Sequence, residues 1–397
     1  MMKKKTLRKV RKRSKELSGI LLTVFHNVLL ASLFLRSTEA AAVLFIATDH
    51  PAHNTTPPPD ESEARAWNLQ GIWRTCQGTP IAPHWFLSAK HIGGAIGDTF
   101  TVHGQSHQTI ARVLDPESDL VLWGVTGSFQ DYAELYTGGI EIGKRMLVFG
   151  RGEARGSPVV LESNGLEVLK GWRRGQGQGV MRWGENMVTH IADEPLLTER
   201  NLGELIGAEF NRNGLPNEAG LSPCDSGGGM FLLQDGEWKL AAINYAAGGQ
   251  YNLSQEGDGF PAMLFDEGGF FRYTEIDDTN EFIWEFVEDE PEDHPGIIWG
   301  TRIQHRLDWI QQTIAELPSP QESIRLKSAS SPHGPFESVL EWSIVQNPLA
   351  LKIPAPAGTR FYCIESTDEV YLRTPLLSGT DLLLPFSGRP ILSIPNN

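Results

Sequence analysis

Three short stretches of this 397-residue chain combine residue types that can do chemistry. Leu87-Ser88-Ala89-Lys90-His91-Ile92 puts a histidine at the end of an apolar β-like run. Asp119-Leu120-Val121-Leu122-Trp123 opens another such run with an acid. Pro223-Cys224-Asp225-Ser226-Gly227-Gly228-Gly229 sets a serine before three glycines. Acyl transfer needs a nucleophile, a base that takes its proton, and an acid that holds the base in the right tautomer. It also needs backbone N–H groups aimed at the developing oxyanion, which glycine-rich turns supply. Each stretch also has an ordinary structural explanation. His84, His103 and His107 lie close enough to compete with His91, Asp98 and Asp115 rival Asp119, and three glycines make a plain turn. The interval between His91 and Asp119 leaves room for strands that join base and acid within one barrel.

The elements that must position these residues read as short strands between glycine turns. From about residue 65 to 250 the runs include Gly71–Cys76, His84–Ala89, Thr99–Val102, Leu120–Trp123, Met146–Phe149 and Lys239–Ile243, a spacing that predicts an antiparallel barrel or sandwich. The 41 glycines and 25 prolines point the same way. The first convincing helical pattern comes late, where Ile303, Leu307, Ile310 and Ile314 form one apolar face that Pro318 and Pro320 end. Residues 321–397 return to β-like runs at 359–364, 369–372 and 382–384, and predict a small all-β domain. The length fits two or three domains, and 40% hydrophobic residues suffice for well-filled cores. Three cysteines exclude a disulfide-dense scaffold and a four-cysteine zinc site. No internal repeat of solenoid or propeller spacing is present.

Charge is uneven along the chain. The formal total is −15, yet residues 1–39 carry ten Lys or Arg against Glu16 and Glu39. The basic block Lys3–Lys15, the apolar run Gly19–Leu35 and the small residues Thr38, Ala40, Ala41 and Ala42 have the layout of a secretory signal peptide over residues 1–42, with cleavage after Ala40 or Ala42. The run is short for a membrane span, and His26 and Asn27 sit inside it. The mature chain is therefore expected to be exported, extracellular or periplasmic, and free of the membrane. Its acidity argues against nucleic acid as a partner. An irregular lead-in, residues 43–64, holds Thr55-Thr56-Pro57-Pro58-Pro59.

In the order His, Asp, Ser, the three motifs resemble those of the chymotrypsin/trypsin-like serine proteases. The family's Ser-Ala-Ala-His-like motif reads Ser88-Ala89-Lys90-His91 here, its Asp-Ile-Ala-Leu-like motif reads Asp119-Leu120-Val121-Leu122, and its Gly-Asp-Ser-Gly-Gly motif reads Cys224-Asp225-Ser226-Gly227-Gly228. Trp309–Ile314 looks like the family's closing helix, so the resemblance spans roughly 65–317. It implies an all-β fold of two antiparallel six-stranded barrels with a late helix, followed by the small β domain. It implies a serine endopeptidase acting on protein or peptide, without cofactor or metal. Ser226 would attack, His91 would act as base and then acid, Asp119 would orient His91, and the N–H groups of Cys224 and Ser226 would bind the oxyanion. The rival reading is a catalytically weak or inactive homologue that binds partners through the same cleft.

The departures from the family's pattern shape further expectations. Cys224 stands where the family has glycine, and its Cβ makes unusual backbone angles costlier. Cys76 lies before His91 where the family often has a cysteine, while the usual partner position is Ile92; a Cys76–Cys224 disulfide with Cys363 free is the expectation, and two buried free thiols are the alternative. Gly220, six residues before Ser226, replaces the acid that binds Lys or Arg in trypsin-type members, so an uncharged residue is expected at the cleaved position. Tyr245-Ala246-Ala247 replaces Ser-Trp-Gly on the pocket wall and removes the serine that supports the catalytic acid. Asp225 matches the partner of a new N-terminus, but no Ile-Val-Gly-Gly site lies near residue 65, so activation is not expected to depend on a buried amine. Residues 256–293 hold fourteen acids and only Arg272 as a base, an insertion relative to the family. Interleaved aromatics predict that part of it packs. A cation-steering rim and a Ca²⁺ site are the functional readings, and a solvated loop is the favoured one.

Overall fold

The computed structural model describes residues 43–163, 165–177, 179–193, 202–247, 249–276, 282–366 and 368–389. The expected leader, residues 1–42, lies outside the described residues. The first element, strand β1 (Leu44–Phe45), is wholly buried. Helix α1 (Glu61–Asn68) follows the triple proline and was not expected from the sequence. Its apolar pattern is too sparse for a 3.6-residue signal; only Ala66, Trp67 and Glu63 turn inward. Asp60 caps it, accepting from the N–H groups of Ser62 and Glu63.

Two closed six-stranded antiparallel barrels follow, the architecture that the motifs implied. The first comprises β2 (Gly71–Trp73), β3 (Cys76–Ala82), β4 (Trp85–Ala89), β5 (Thr99–Val102), β6 (Gln105–Leu114) and β7 (Leu120–Val125), closed in the order β2-β3-β4-β7-β6-β5. The run expected over 71–76 splits at Arg74, whose φ of +55° turns the chain. Closure leaves no free edge, so β3, β4 and β7 can be buried along their whole lengths. Trp73, Phe86, Phe100 and Trp123 fill the interior, with Phe86 stacked on Phe100 at 4.0 Å. Each such ring contributes about 1.5–3 kcal/mol by burial.

The second barrel is β8 (Arg145–Gly150), β11 (Arg182–Asp193), β12 (Glu204–Glu209), β14 (Gly229–Gln234), β15 (Glu237–Ala247) and β20 (Ile297–Arg302), closed as β11-β12-β20-β15-β14-β8. Between its members lie the hairpin β9 (Glu153–Ser163) and β10 (Leu166–Gly177), and the short β13 (Ala219–Gly220) paired with β1. The acidic insertion is largely folded, contrary to the solvated loop favoured from composition. Strands β16 (Gly249–Asn252), β17 (Phe260–Leu264), β18 (Phe271–Ile276) and β19 (Phe282–Phe286) extend the hairpin into a six-stranded sheet. Its apolar residues decide this outcome. Phe260, Leu264 and Phe270 are buried with Tyr251 and Val159, while Lys170 neutralises Asp266 and Asp289 at 2.5 Å each. Among the described residues no group of three or more His, Cys, Asp or Glu converges to hold a metal ion.

The late helix is present as α2 (Leu307–Glu316), preceded by a 3₁₀ turn. Ile303 and Ile310 are fully buried and Leu307 and Ile314 pack at the margin, as their spacing required. Beyond it, the C-terminal strands form a three-stranded and a five-stranded sheet. Their core, with Leu351, Ile353, Leu384 and Phe386, includes Ile96 and Ile110 of the first barrel, and Gly388 N–H donates to Ile96 O at 2.9 Å. Among the described residues no helix is long and apolar enough to cross a membrane.

Candidate active site

His91 sits in a one-turn 3₁₀ segment directly after β4, and Asp119 immediately precedes β7. These strands pair with Ala89 opposite Leu120, which brings the two turns together. Lys90 fastens them: its N–H donates to Asp119 O at 2.6 Å and its ammonium to Ser118 O at 2.6 Å. Asp119 Oδ1 accepts from His91 N–H at 3.0 Å, and Oδ2 lies 2.6 Å from His91 Nδ1. A carboxylate only accepts here, so this contact puts the imidazole proton on Nδ1. Nε2 is left with its lone pair 2.8 Å from Ser226 Oγ. Asp119 and His91 come from the first barrel and Ser226 from the second, and all three are buried.

Ser226 lies in the turn between β13 and β14. Its carbonyl accepts from Gln77 N–H of β3 at 3.2 Å, and Gly227 N–H donates to Asn244 O at 3.1 Å. Asn244 also reaches back with its amide to Asp225 O at 2.9 Å and Phe149 O at 2.7 Å. Gly227 is demanded twice over, by a φ of +78° and because a Cβ there would run into Gln77 O. The turn therefore points Ser226 at His91 through backbone contacts from both barrels. Among the described residues, the N–H groups of Cys224 and Ser226 have no hydrogen-bond acceptor. Cys224 adopts a φ of +70°, the left-handed conformation its Cβ disfavours.

The competing residues have other partners. His84 and His107 face the carbonyls of Gly127 and Thr126. Asp98 accepts from Ala95 N–H, and Asp115 pairs with Arg306 at 2.6 Å. Tyr245 sits with its ring edge-on to the His91 imidazole at 5.6 Å between centroids. Sequence reasoning missed Gln77 and Asn244, whose roles are made by β3 and β15 contacting the turn and leave no local mark.

The expected Cys76–Cys224 disulfide is not formed, and all three cysteines are free. The two thiols interact instead as donor and acceptor. Hydrogen bonding from Cys76 brings the Cys224 thiol down to about 6, and the same contact pushes Cys76 upward. Thr75 Oγ1 lies 3.7 Å from the Cys76 sulfur and 3.8 Å from that of Cys224, so the hydroxyl sits against both.

Three neutral groups donate to Asp225. Gly152 N–H and Ser222 N–H reach its carboxylate at 2.7 Å, and the Ser222 hydroxyl at 2.8 Å. Gly220 is buried in β13, and a Cβ there would meet Met263 Cγ at 2.7 Å with Phe210 behind. The surroundings of the expected pocket floor are apolar. Ala246 and Ala247 continue β15, paired with Trp299 and Ile298; their side chains lie outside the described residues.

No family model matches the sequence, and no curated protein matches it. Solved structures similar to this chain are serine proteases. The inactive form of the Rv3671c protease is 13% identical over 48% of this chain and 86% of its own, with a TM-score of 0.33. Neuropsin, a serine protease expressed in the limbic system of mouse brain, is 17% identical over 63% of this chain and 96% of its own, also at 0.33.

Proposed function

We propose that this chain is an exported serine endopeptidase. One observation carries the reading: the continuous path Asp119 Oδ2–His91 Nδ1, 2.6 Å, then His91 Nε2–Ser226 Oγ, 2.8 Å. Both lengths are within proton-transfer reach. Ser226 Oγ attacks the scissile carbonyl as His91 Nε2 takes its proton. The imidazolium then protonates the leaving amine, and the acyl-enzyme is hydrolysed by water activated the same way. Asp119 fixes the tautomer and stabilises the imidazolium. The N–H groups of Cys224 and Ser226, without acceptors among the described residues, are the donors for the oxyanion.

The substrate is protein or peptide with an uncharged residue before the cleaved bond. Gly220, with Met263 and Phe210 against it, supports this preference, as does the position of Tyr245 beside His91. Incubating the processed chain with a denatured protein mixture and sequencing the new termini tests both parts. Cuts after uncharged residues that vanish in Ser226→Ala are expected. Strong Lys or Arg selectivity contradicts the pocket, and no cuts by a folded protein favour a binding homologue.

A further inference from the structure

The chain holds 49 acids against 34 Lys and Arg, and arginines such as Arg112, Arg145, Arg302 and Arg306 each meet an acid. Two arginines beside the Ser226 turn meet none among the described residues. Arg151 lies between β8 and β9 and is half-buried. Its Nε is buried without a hydrogen-bond partner. Burial lowers its pKa, and the Cys76 sulfur acts in the other direction. A guanidinium in such surroundings is stabilised most by an acceptor that carries negative charge. Arg74, on the turn between β2 and β3, is exposed. Its Nη1 donates to Ile92 O at 2.9 Å, and among the described residues its other N–H groups have no acceptor.

Both arginines border one flank of the turn. The residues on either side of Arg151 pack on it: Gly152 N–H donates to Asp225 Oδ1 at 2.7 Å, and a Cβ on Gly150 would run into the same oxygen. Arg74 is followed by Thr75, whose hydroxyl lies 3.8 Å from the Cys224 sulfur and 3.7 Å from that of Cys76. Ile92, which Arg74 holds, follows the proposed base, and its Cδ1 lies 2.8 Å from where a Gly227 side chain would begin. The acids of this flank are already met. Glu153 faces Arg174 through space, and Asp225 is fully buried behind the turn with its three donors. The residue before the cleaved bond is assigned to Gly220 and the 245–247 strand. An extended substrate passes Ser226 in one direction, so the chain after the bond leaves over Cys224, Thr75 and Ile92, toward the two guanidiniums.

We infer that Arg151 and Arg74 form a carboxylate site for the leaving side of the substrate, so that cleavage favours a peptide carrying a carboxylate just after the bond. That carboxylate belongs either to an Asp or Glu side chain or to the free C-terminus of a short leaving peptide. A guanidinium presents its N–H groups as a planar fork that matches the two carboxylate oxygens. The partial burial of Arg151 strengthens such a contact beyond that of an exposed pair. A charge-assisted hydrogen bond of this kind is expected to give a preference of about tenfold. The preference acts at contact only, because the net charge of −15 opposes an acidic chain at a distance. No bond changes at the site. It holds the segment whose amine His91 protonates, which makes the two arginines specificity-determining residues. The effect on cleavage rests on the protease reading; the binding of a carboxylate does not.

The test uses peptides that share one uncharged acyl side and carry Ala-Ala, Asp-Ala or Ala-Asp after the bond, each with an amidated or a free C-terminus. An amidated Asp peptide is expected to be cleaved with kcat/KM about tenfold above its Ala-Ala counterpart. A gain of that size from the free C-terminus alone assigns the carboxylate to the chain end, and equal values throughout overturn the inference. Arg151→Gln is expected to bring the ratio below about threefold, and Arg74→Gln, at an exposed position, to lower it at least about twofold. A ratio unchanged in either variant overturns the site as drawn. Each ratio is read within one preparation, so a misfolded fraction cancels. Binding is read separately, by fluorescence anisotropy of the same peptides, dye-labelled, on the Ser226→Ala protein. Carboxylate peptides that bind about tenfold more tightly, with no cleavage by the parent chain, fault the protease reading and uphold the site. Equal Kd values overturn the site, whether or not the parent chain cleaves.

Discussion

The tripeptide Cys224-Asp225-Ser226 has two faces, and they differ in how their charges are settled. In front, Ser226, His91 and Asp119 form an ordered chain of contacts in which every titrating atom has a partner. Behind, Asp225 is a buried carboxyl met by two backbone N–H groups and a hydroxyl, and desolvation raises it to about 7. The proposed function uses the front to move a proton during a reaction. The back is arranged around a negative charge that its hydrogen bonds only partly stabilise. The same short turn therefore separates an ordered chain of side-chain contacts from a buried carboxyl met by neutral donors.

The largest effects should come from the front. Asp119→Asn keeps the shape but presents an amide to Nδ1 and favours the wrong imidazole tautomer; peptide hydrolysis should fall by about 10⁴ in kcat, read by steady-state kinetics. A fall under tenfold would separate Asp119 from the chemistry. Gly227→Ala attacks the joint between the faces. It forces a Cβ toward Gln77 O at a φ of +78° and should destabilise by at least 1–3 kcal/mol, roughly, in urea unfolding.

Most of the front was legible in the sequence, because its chemistry rides on short local motifs at strand ends. His91, Asp119 and Ser226 each announced themselves beside an apolar run or a glycine run. The late helix was legible because Leu307, Ile310 and Ile314 repeat at helical spacing. The back was not legible, since Leu44 and Phe45 of β1 pair with Gly220 and Ala219 far along the chain and no local pattern records that pairing. Helix α1 escaped because so few of its residues are apolar. The cysteines misled for a related reason: proximity of Cys76 and Cys224 was foreseen, but the resemblance could not tell thiol contact from a bond. In the insertion, composition suggested solvent, and the buried aromatics with Lys170 overrode it.

A second buried carboxyl, Glu218, predicts a pH dependence of stability. Glu218 has its pKa raised from 4.5 to about 7 by burial, with Glu185 and Glu209 adding repulsion and the N–H groups of Asn211 and Leu215 opposing it. A carboxyl raised on folding holds its proton better in the folded state. Its effect is absent below about 4.5, where both states are protonated, and destabilisation grows as pH climbs to about 7. Thermal midpoints from pH 4.5 to 8 should therefore fall less in Glu218→Gln than in the parent chain. An unchanged slope would show that this carboxyl is not desolvated. The smallest effect belongs to Cys224→Gly, which removes the Cβ at φ +70° and should stabilise by about 1 kcal/mol, a rise of a few degrees in Tm at most, without loss of activity.

The central claim is that Ser226 is a nucleophile activated by His91. Intact-mass and peptide mapping after fluorophosphonate treatment of the mature chain test it most directly. The account predicts one adduct, on Ser226, that disappears in Ser226→Ala and slows at least about 10³-fold in His91→Ala. A folded mature protein recovered unmodified, or one modified at another residue, would contradict it.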